Sequence, residues 1–257
     1  PTTKRRTTGQ IRPLLDTMQP VPLLNATACS TEISTETLPW LADHLIFGSV
    51  VMPGAGSLSL VLSAAEVLWA TATIQLREVV FPQPPVLHDG QARMMHLLLQ
   101  PIPTSNGVRT AEAQLVSVLA GELTDGDPTP HLTGTVSTAS APPPVDLALL
   151  RDRCQVSVPF QDVLAGSIVL GPAFHWLRDI WQGDGEVLAR LAQPAILNTT
   201  GYLLHPALLD SCFQLCGYIV GETDDVALPF AISSLTLTTP AHPGGPWCAH
   251  AHQTGDS

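Results

Sequence analysis

Leu58-Ser-Leu-Val-Leu-Ser-Ala-Ala-Glu-Val-Leu-Trp69 has almost no polar face. Leu58, Val61, Leu62, Ala65 and Leu68 recur at helical spacing, while Leu60, Ala64 and Val67 fill much of the remaining surface. A helix of this kind is enclosed on most sides rather than laid on an outer face. The spacing predicts a start near Ser57, after Pro53-Gly54-Ala55-Gly56. Strand-length runs follow: Ile74 to Phe81, Met94 to Gln100, Ala111 to Leu119 and Leu132 to Val136. Asp89-Gly90, Asn106-Gly107 and Asp125-Gly126 separate them as turns. One enclosed helix among antiparallel-type strands predicts a sheet wrapped around that helix.

The same order returns downstream. Ala139-Ser-Ala-Pro-Pro-Pro144 suits neither helix nor central strand and reads as an extended linker. A short helix is expected over 145–153, strands near 174–181 and 186–192, and a second apolar helix from Pro206 to about Val220. Strands are expected again at 231–238 and 247–252. The chain therefore divides into a unit at 1–140, a linker at 141–148 and a second unit at 149–257.

Composition bounds the function. A net charge of −11 repels phosphate backbones and argues against nucleic-acid binding. Any acidic partner must find a local basic patch, for which Arg5, Arg6, Arg151, Arg153, Arg178 and Arg190 are among the few candidates, or make a tethered, weak contact. No apolar run reaches the length of a membrane span. Pro1-Thr-Thr-Lys-Arg-Arg6 is not followed by the apolar stretch of a signal peptide and reads as a frayed linker or the cut edge of a larger protein. Five cysteines without a Cys-x-x-Cys pair read as free thiols, with Cys212 and Cys216 on one helix face.

Two residues stand out chemically. Asp210 lies in the second helix among Leu208, Leu209, Phe213 and Leu215. Burial raises a carboxyl pKa, which suits a general acid. Gln214, at i+4, shares its face. His44 precedes an apolar strand-like run and has the one side chain type whose unperturbed pKa suits a base near neutrality. Pro53-Gly54 precedes the enclosed helix, whose first N–H groups can hold an oxygen gaining negative charge. His250 and His252 alternate on one strand face, but no further metal ligand has sensible spacing, so no metal is expected.

Together these segments resemble the signatures of polyketide synthase dehydratases. His-x3-Gly-x4-Pro-Gly is present as His44, Gly48, Pro53 and Gly54; Gly171-Pro-Ala-Phe174 is the second signature; His205-Pro-Ala-Leu-Leu-Asp210-x3-Gln214 is the third. The likeness runs from Arg12-Pro-Leu-Leu15 to about His252. It implies an α+β double hotdog fold with one active site between the halves. It implies His44 as catalytic base and Asp210 as catalytic acid, with Gly54 donating to the thioester carbonyl. Gln214, Leu170, Gly48 and Pro53 are the other candidates beside the substrate. No cofactor is implied in the domain itself: the substrate rides on the phosphopantetheine of an acyl carrier protein. The implied partners are that carrier, neighbouring synthase domains, the polyketide intermediate and often a second copy of the chain, in the cytoplasm and without nucleic acid or membrane.

Three departures accompany the likeness. Arg12 stands where a histidine is common, Leu170 stands where a tyrosine is common, and a further strand pair is usual after the 247–252 region. Rival activities on the same scaffold are cyclic-ether closure, double-bond migration and product-template cyclisation. A rival of another class is a non-catalytic module that holds an acyl chain.

Overall fold

The alternating runs between residues 74 and 138 fold as strands, and both apolar segments fold as helices. The computed structural model describes residues 10–71, 73–87, 91–104, 107–120, 127–160, 167–220, 230–238 and 245–254. The first half holds β1 (Thr17–Val21), β2 (Ala26–Ile33), β3 (His44–Ile46), β4 (Ser49–Val51), α1 (Gly54–Trp69), β5 (Ile74–Val80), β6 (Val86–Leu87), β7 (Arg93–Ile102), β8 (Thr110–Leu119) and β9 (Thr129–Thr138). After the proline-rich connection come α2 (Leu147–Arg153), β10 (Val156–Val158), β11 (Ile168–Leu170), β12 (Leu177–Gln182), β13 (Glu186–Leu191), α3 (Pro206–Val220), β14 (Ala231–Leu237) and β15 (Trp247–His252).

All pairings between these strands are antiparallel. The main sheet runs β1-β2-β7-β8-β9-β5-β14, a second runs β10-β12-β13-β15, and a small third runs β11-β3-β4-β6. Helix α1 lies against β9 and β5, and α3 against β13 and β15, while the two helices also touch each other. Leu58, Leu60, Val61, Leu62, Ala64 and Ala65 of α1 are each at most 2% exposed. Burying each large apolar side chain is worth roughly 1.5–3 kcal/mol, so this helix anchors the core despite its weak amphipathicity.

Helix α1 begins at Gly54, earlier than the sequence spacing suggested. The glycines there read as loop residues, but Gly56 is small for a packing reason. A Cβ on it would lie 2.7 Å from Met52 Cε. The strand expected near 174–181 starts later, because Pro172–Phe174 forms a 3-10 turn before β12. The three-residue β10 and β11 are too short for alternation to reveal. The turns expected at Asp89-Gly90 and Asp125-Gly126, and Asn106 of the third, lie outside the described residues. Gly107 does take the left-handed conformation of a turn, with φ 75°.

The largest difference concerns β14. The sequence groups it with the second unit, yet it pairs with β5 of the first, from Ala231 opposite Val80 to Leu237 opposite Ile74. In the first half β8 and β9 lie between β7 and β5. Among the described residues no strand bridges β15 and β14. The departure at Arg12 also has a structural counterpart: its guanidinium meets both carboxylate oxygens of Glu66 on α1, at 2.9 and 2.7 Å.

Candidate active site

His44 is set by a tight hairpin. Phe47 and Gly48 join β3 to β4 with φ of 48° and 77°, a two-residue turn with both positions left-handed that matches strand twist. Across it, His44 Nδ1 lies 2.8 Å from the Val51 carbonyl. A carbonyl only accepts, so Nδ1 carries the proton and Nε2 keeps its lone pair. The ring is 6% exposed and its centroid is 5.1 Å from that of Phe174.

The Gly171-Pro-Ala-Phe174 segment supports this ring without polar chemistry of its own. Gly171 N donates to Asp43 O at 2.7 Å, and Ala173 N donates to Asp43 Oδ2 at 2.8 Å. The Asp43 carboxylate thus ties the turn to the residue preceding His44. A Cβ on Gly171 would sit 2.5 Å from Asp43 Cγ. We predict that Gly171→Ala costs about 1–3 kcal/mol as an overpacking substitution, or roughly 2–4 °C of Tm per kcal/mol. A thermal melt matching the parent would show that Asp43 can move aside freely.

Helix α3 supplies the second group. Pro206 occupies its first turn, and Ala207 N donates to His205 Nδ1 at 3.1 Å, so His205 caps the helix. Enclosure by Trp40, Tyr202 and Trp176 holds His205 neutral, its pKa pushed down to about 3 by desolvation. One turn on, Asp210 Oδ2 accepts from Gln214 Nε2 at 3.1 Å, and among the described residues Oδ1 has no hydrogen-bond partner. Ser211 Oγ lies 2.9 Å from Phe174 O and 2.8 Å from Ala207 O and shares its one proton between them, linking α3 to the turn beneath His44.

His44 and Asp210 line one cavity of about 230 Å³, with Pro53, Gly54, Ala55 and Ser57 at the start of α1. Ile46, Val51, Met52, Phe81, Phe213 and Phe230 supply apolar wall, and Gln83, Pro84, Pro85 and His131 complete it. Desolvation is the largest influence on both titrating groups. It lowers the His44 pKa against the opposing attraction of Asp210 and the Val51 bond. It raises the Asp210 pKa against His44 and the Gln214 bond. Burial thus favours the uncharged form of each group, drawing the His44 pKa down and the Asp210 pKa up.

Four expected residues, His44, Asp210, Gly54 and Pro53, thus meet at this cavity. Gly48 does not: it is exposed at the hairpin tip, where its role is conformational. Gln214 reaches the cavity only through Asp210. Leu170 is not part of the lining; it packs on Ile46, Val51 and Ile168. It is, however, the ladder partner of His44 and shares its side of the sheet. The phenylalanines and the Gln83–Pro85 wall carried no sequence signal, because they converge from separate elements.

Of the arginines read as a docking patch, Arg151 sits 3.8 Å over the Trp181 ring and Arg153 pairs with Glu186 at 2.9 Å. Arg178 donates to the carbonyls of His175 and Leu177, and Arg190 pairs with Asp179. Arg5 and Arg6 lie outside the described residues. His250 and His252 do share a face, their rings stacked at 5.4 Å. His250 Nε2 lies 2.7 Å from Glu186, near Cys154, and the Arg153 guanidinium already compensates that carboxylate.

Two layered halves, each with a helix against an antiparallel sheet, define a double hotdog, with a His/carboxyl pair between them. The comparisons agree on the family. Residues 12–113 match the model of the polyketide synthase dehydratase domain, and residues 142–256 match a model described as the polyketide synthase dehydratase N-terminal domain. The chain belongs to the polyketide synthase dehydratase family and is a dehydratase domain, a hydro-lyase. The dehydratase domain from the CurJ module of curacin polyketide synthase superposes with a TM-score of 0.83 at 32% identity, over 91% of this chain and 82% of that one. Erythronolide synthase EryA2 of Saccharopolyspora erythraea is 30% identical over 89% of this chain. Polyketide synthase GfsB of Streptomyces halstedii is 32% identical over 82% of it. The chain spans 6% and 4% of those two synthases.

Proposed function

We propose that this domain removes water from a β-hydroxyacyl thioester, with His44 as base and Asp210 as acid. The observation that carries the reading is the shared cavity. It holds an imidazole with an Nε2 lone pair, a carboxyl whose pKa burial raises, and the first backbone N–H groups of α1. His44 Nε2 takes the proton α to the thioester. The N–H at Gly54 steadies the carbonyl oxygen as negative charge gathers there. The Cβ–O bond breaks, the Asp210 proton leaves with the hydroxyl as water, and the α,β-double bond forms. Proton return from imidazolium to carboxylate, directly or through solvent, resets the pair. Gln214 fixes the Asp210 carboxyl by holding Oδ2, so that Oδ1 faces the reaction.

The thioester already acidifies the α-carbon, so these steps call on no cofactor in the domain. The substrate is carried on the phosphopantetheine of an acyl carrier protein within a larger cytoplasmic synthase, beside neighbouring catalytic domains and a second copy of the chain. A CurJ dehydratase carrying a histidine-to-phenylalanine change is named an inactive mutant, which supports a histidine base. Among the described residues no helix is long and apolar enough to cross a membrane. The two structural units divide at 141–148, with β14 crossing back to the first sheet.

The test is incubation with a panel of β-hydroxyacyl thioesters, reading product mass and alkene geometry. Loss of water without cyclisation supports the reading; turnover of none of them overturns it. In the same panel Leu170→Tyr places a hydroxyl on His44's side of the ladder, adding one hydrogen bond worth about 1 kcal/mol. We predict a changed product distribution with little change on the best substrate. A rate loss of about a hundredfold there, or about 2.7 kcal/mol, would instead place residue 170 in the chemistry.

A further inference from the structure

Besides His44 and Asp210, His131 is the other titratable residue among the described lining of the cavity. It reaches the cavity from β9 at an irregularity in the ladder: Leu115 pairs with Leu132, but Val116 pairs with Pro130. Such bulges re-aim a side chain, and they are common beside active sites. The ring is 1% exposed and both of its nitrogens are engaged. Nδ1 lies 2.8 Å from the Gln83 carbonyl, to which it must donate. Nε2 then accepts from Ser117 Oγ at 2.7 Å, and Ser117 in turn accepts from Arg93 Nε at 2.8 Å. Desolvation lowers the His131 pKa, in keeping with this neutral tautomer. With no free lone pair, the ring is not a base for the substrate.

What it holds is the Gln83–Pro85 wall. Two prolines remove two backbone donors from that segment, so side-chain support matters more there. Directly beyond, Pro85 O accepts from Met52 N at 2.9 Å, and β6 pairs with β4 through Val86 opposite Val51. Val51 O is the partner of His44 Nδ1, and Met52 leads through Pro53 into the first N–H of α1.

We propose that His131 is a positioning residue for the dehydration. Through the Gln83 carbonyl it fixes the wall segment that holds Val51 and Met52, and with them the His44 ring and the Gly54 amide. The proposal rests on the reading of His44 as base and of the α1 start as oxyanion donor. His131 itself does no proton transfer.

The test compares His131→Phe, His131→Asn and Ser117→Ala in the intact domain, with turnover on the best β-hydroxyacyl thioester and amide exchange measured in parallel. Phe fills the space without donating. Asn places an N–H near the position of Nδ1, toward Gln83. Loss of one buried bond predicts about a fivefold fall in kcat for His131→Phe, with KM nearly unchanged. The Met52 amide should exchange about tenfold faster, while β12 and β13 amides keep their protection. His131→Asn should recover most of both effects, and Ser117→Ala, which only frees the far nitrogen, should fall between. A lower Tm with kcat per folded molecule and Met52 exchange unchanged would overturn the proposal. So would a rise in KM alone, which would make His131 a substrate contact. Failure of the underlying reading is distinguishable: the parent domain would then turn over no thioester, whereas the Met52 exchange comparison would still report on the wall.

Discussion

Asp210→Asn is expected to lower turnover by roughly 10²–10⁴-fold, the usual contribution of a positioned general acid, and at the same time to stabilise the fold at alkaline pH. Asparagine keeps the size and the acceptor for Gln214 but has no proton to give the departing hydroxyl. The stability effect follows from burial. In the unfolded chain an aspartate ionises near pH 4. In the folded domain desolvation raises that pKa. Between those two values folding takes up a proton, so stability falls as pH rises through the interval, and the full penalty stands above the raised value. Asn removes it. The Tm gain over the parent should therefore be small in acid and widen as pH rises, at about 2–4 °C per kcal/mol for a chain of this size. A gap that does not depend on pH would mean that burial does not raise the Asp210 pKa.

His44→Ala should cost a similar roughly 10²–10⁴-fold, and it leaves room for rescue. The vacated space lies between Phe174 and Val51 O, and free imidazole offers the same ring and the same donor to that carbonyl. Added imidazole should restore part of the lost turnover; turnover of the variant within about tenfold of the parent would remove His44 from the mechanism. The parent's pH profile carries a matching expectation. The base must be neutral and the acid protonated, so kcat/KM should rise on the acid side and fall on the alkaline side. Burial pushes the His44 pKa below 6.5, so the acid limb should lie below that value. An acid limb above it would mean that the attraction of Asp210 outweighs desolvation.

Much of this was legible in order along the chain. Period and burial agree in α1 and in the long strands β5, β7, β8 and β9, because each is long enough for alternation or helical spacing to repeat. His44 and Asp210 were legible because each sits in a motif with fixed local spacing. What the sequence hid is contact across distance. Leu170 and Gly48 are near His44 in motif or ladder but not in the cavity wall. His131, Gln83 and Phe230 are in that wall, though they lie far apart in the chain. Arg12 stood out only as a departure from a motif, and it clamps Glu66, a partner 54 residues away. The pairing of β14 with β5 could not be read from either strand, since an edge strand's alternation says which face is buried and not which neighbour it takes.

That pairing also sets a schedule. A ribosome adds roughly 5–20 residues per second, so the stretch from Val80 to Ala231 takes on the order of 10–30 s to make. Throughout that interval β5 has been synthesised but its outer edge has no partner. An open strand edge can recruit the wrong strand, from the same polysome or a neighbouring one. The domain is therefore most exposed to misassembly during its own synthesis, before any thioester could reach the cavity, and slowing translation between residues 80 and 231 should lower its soluble yield.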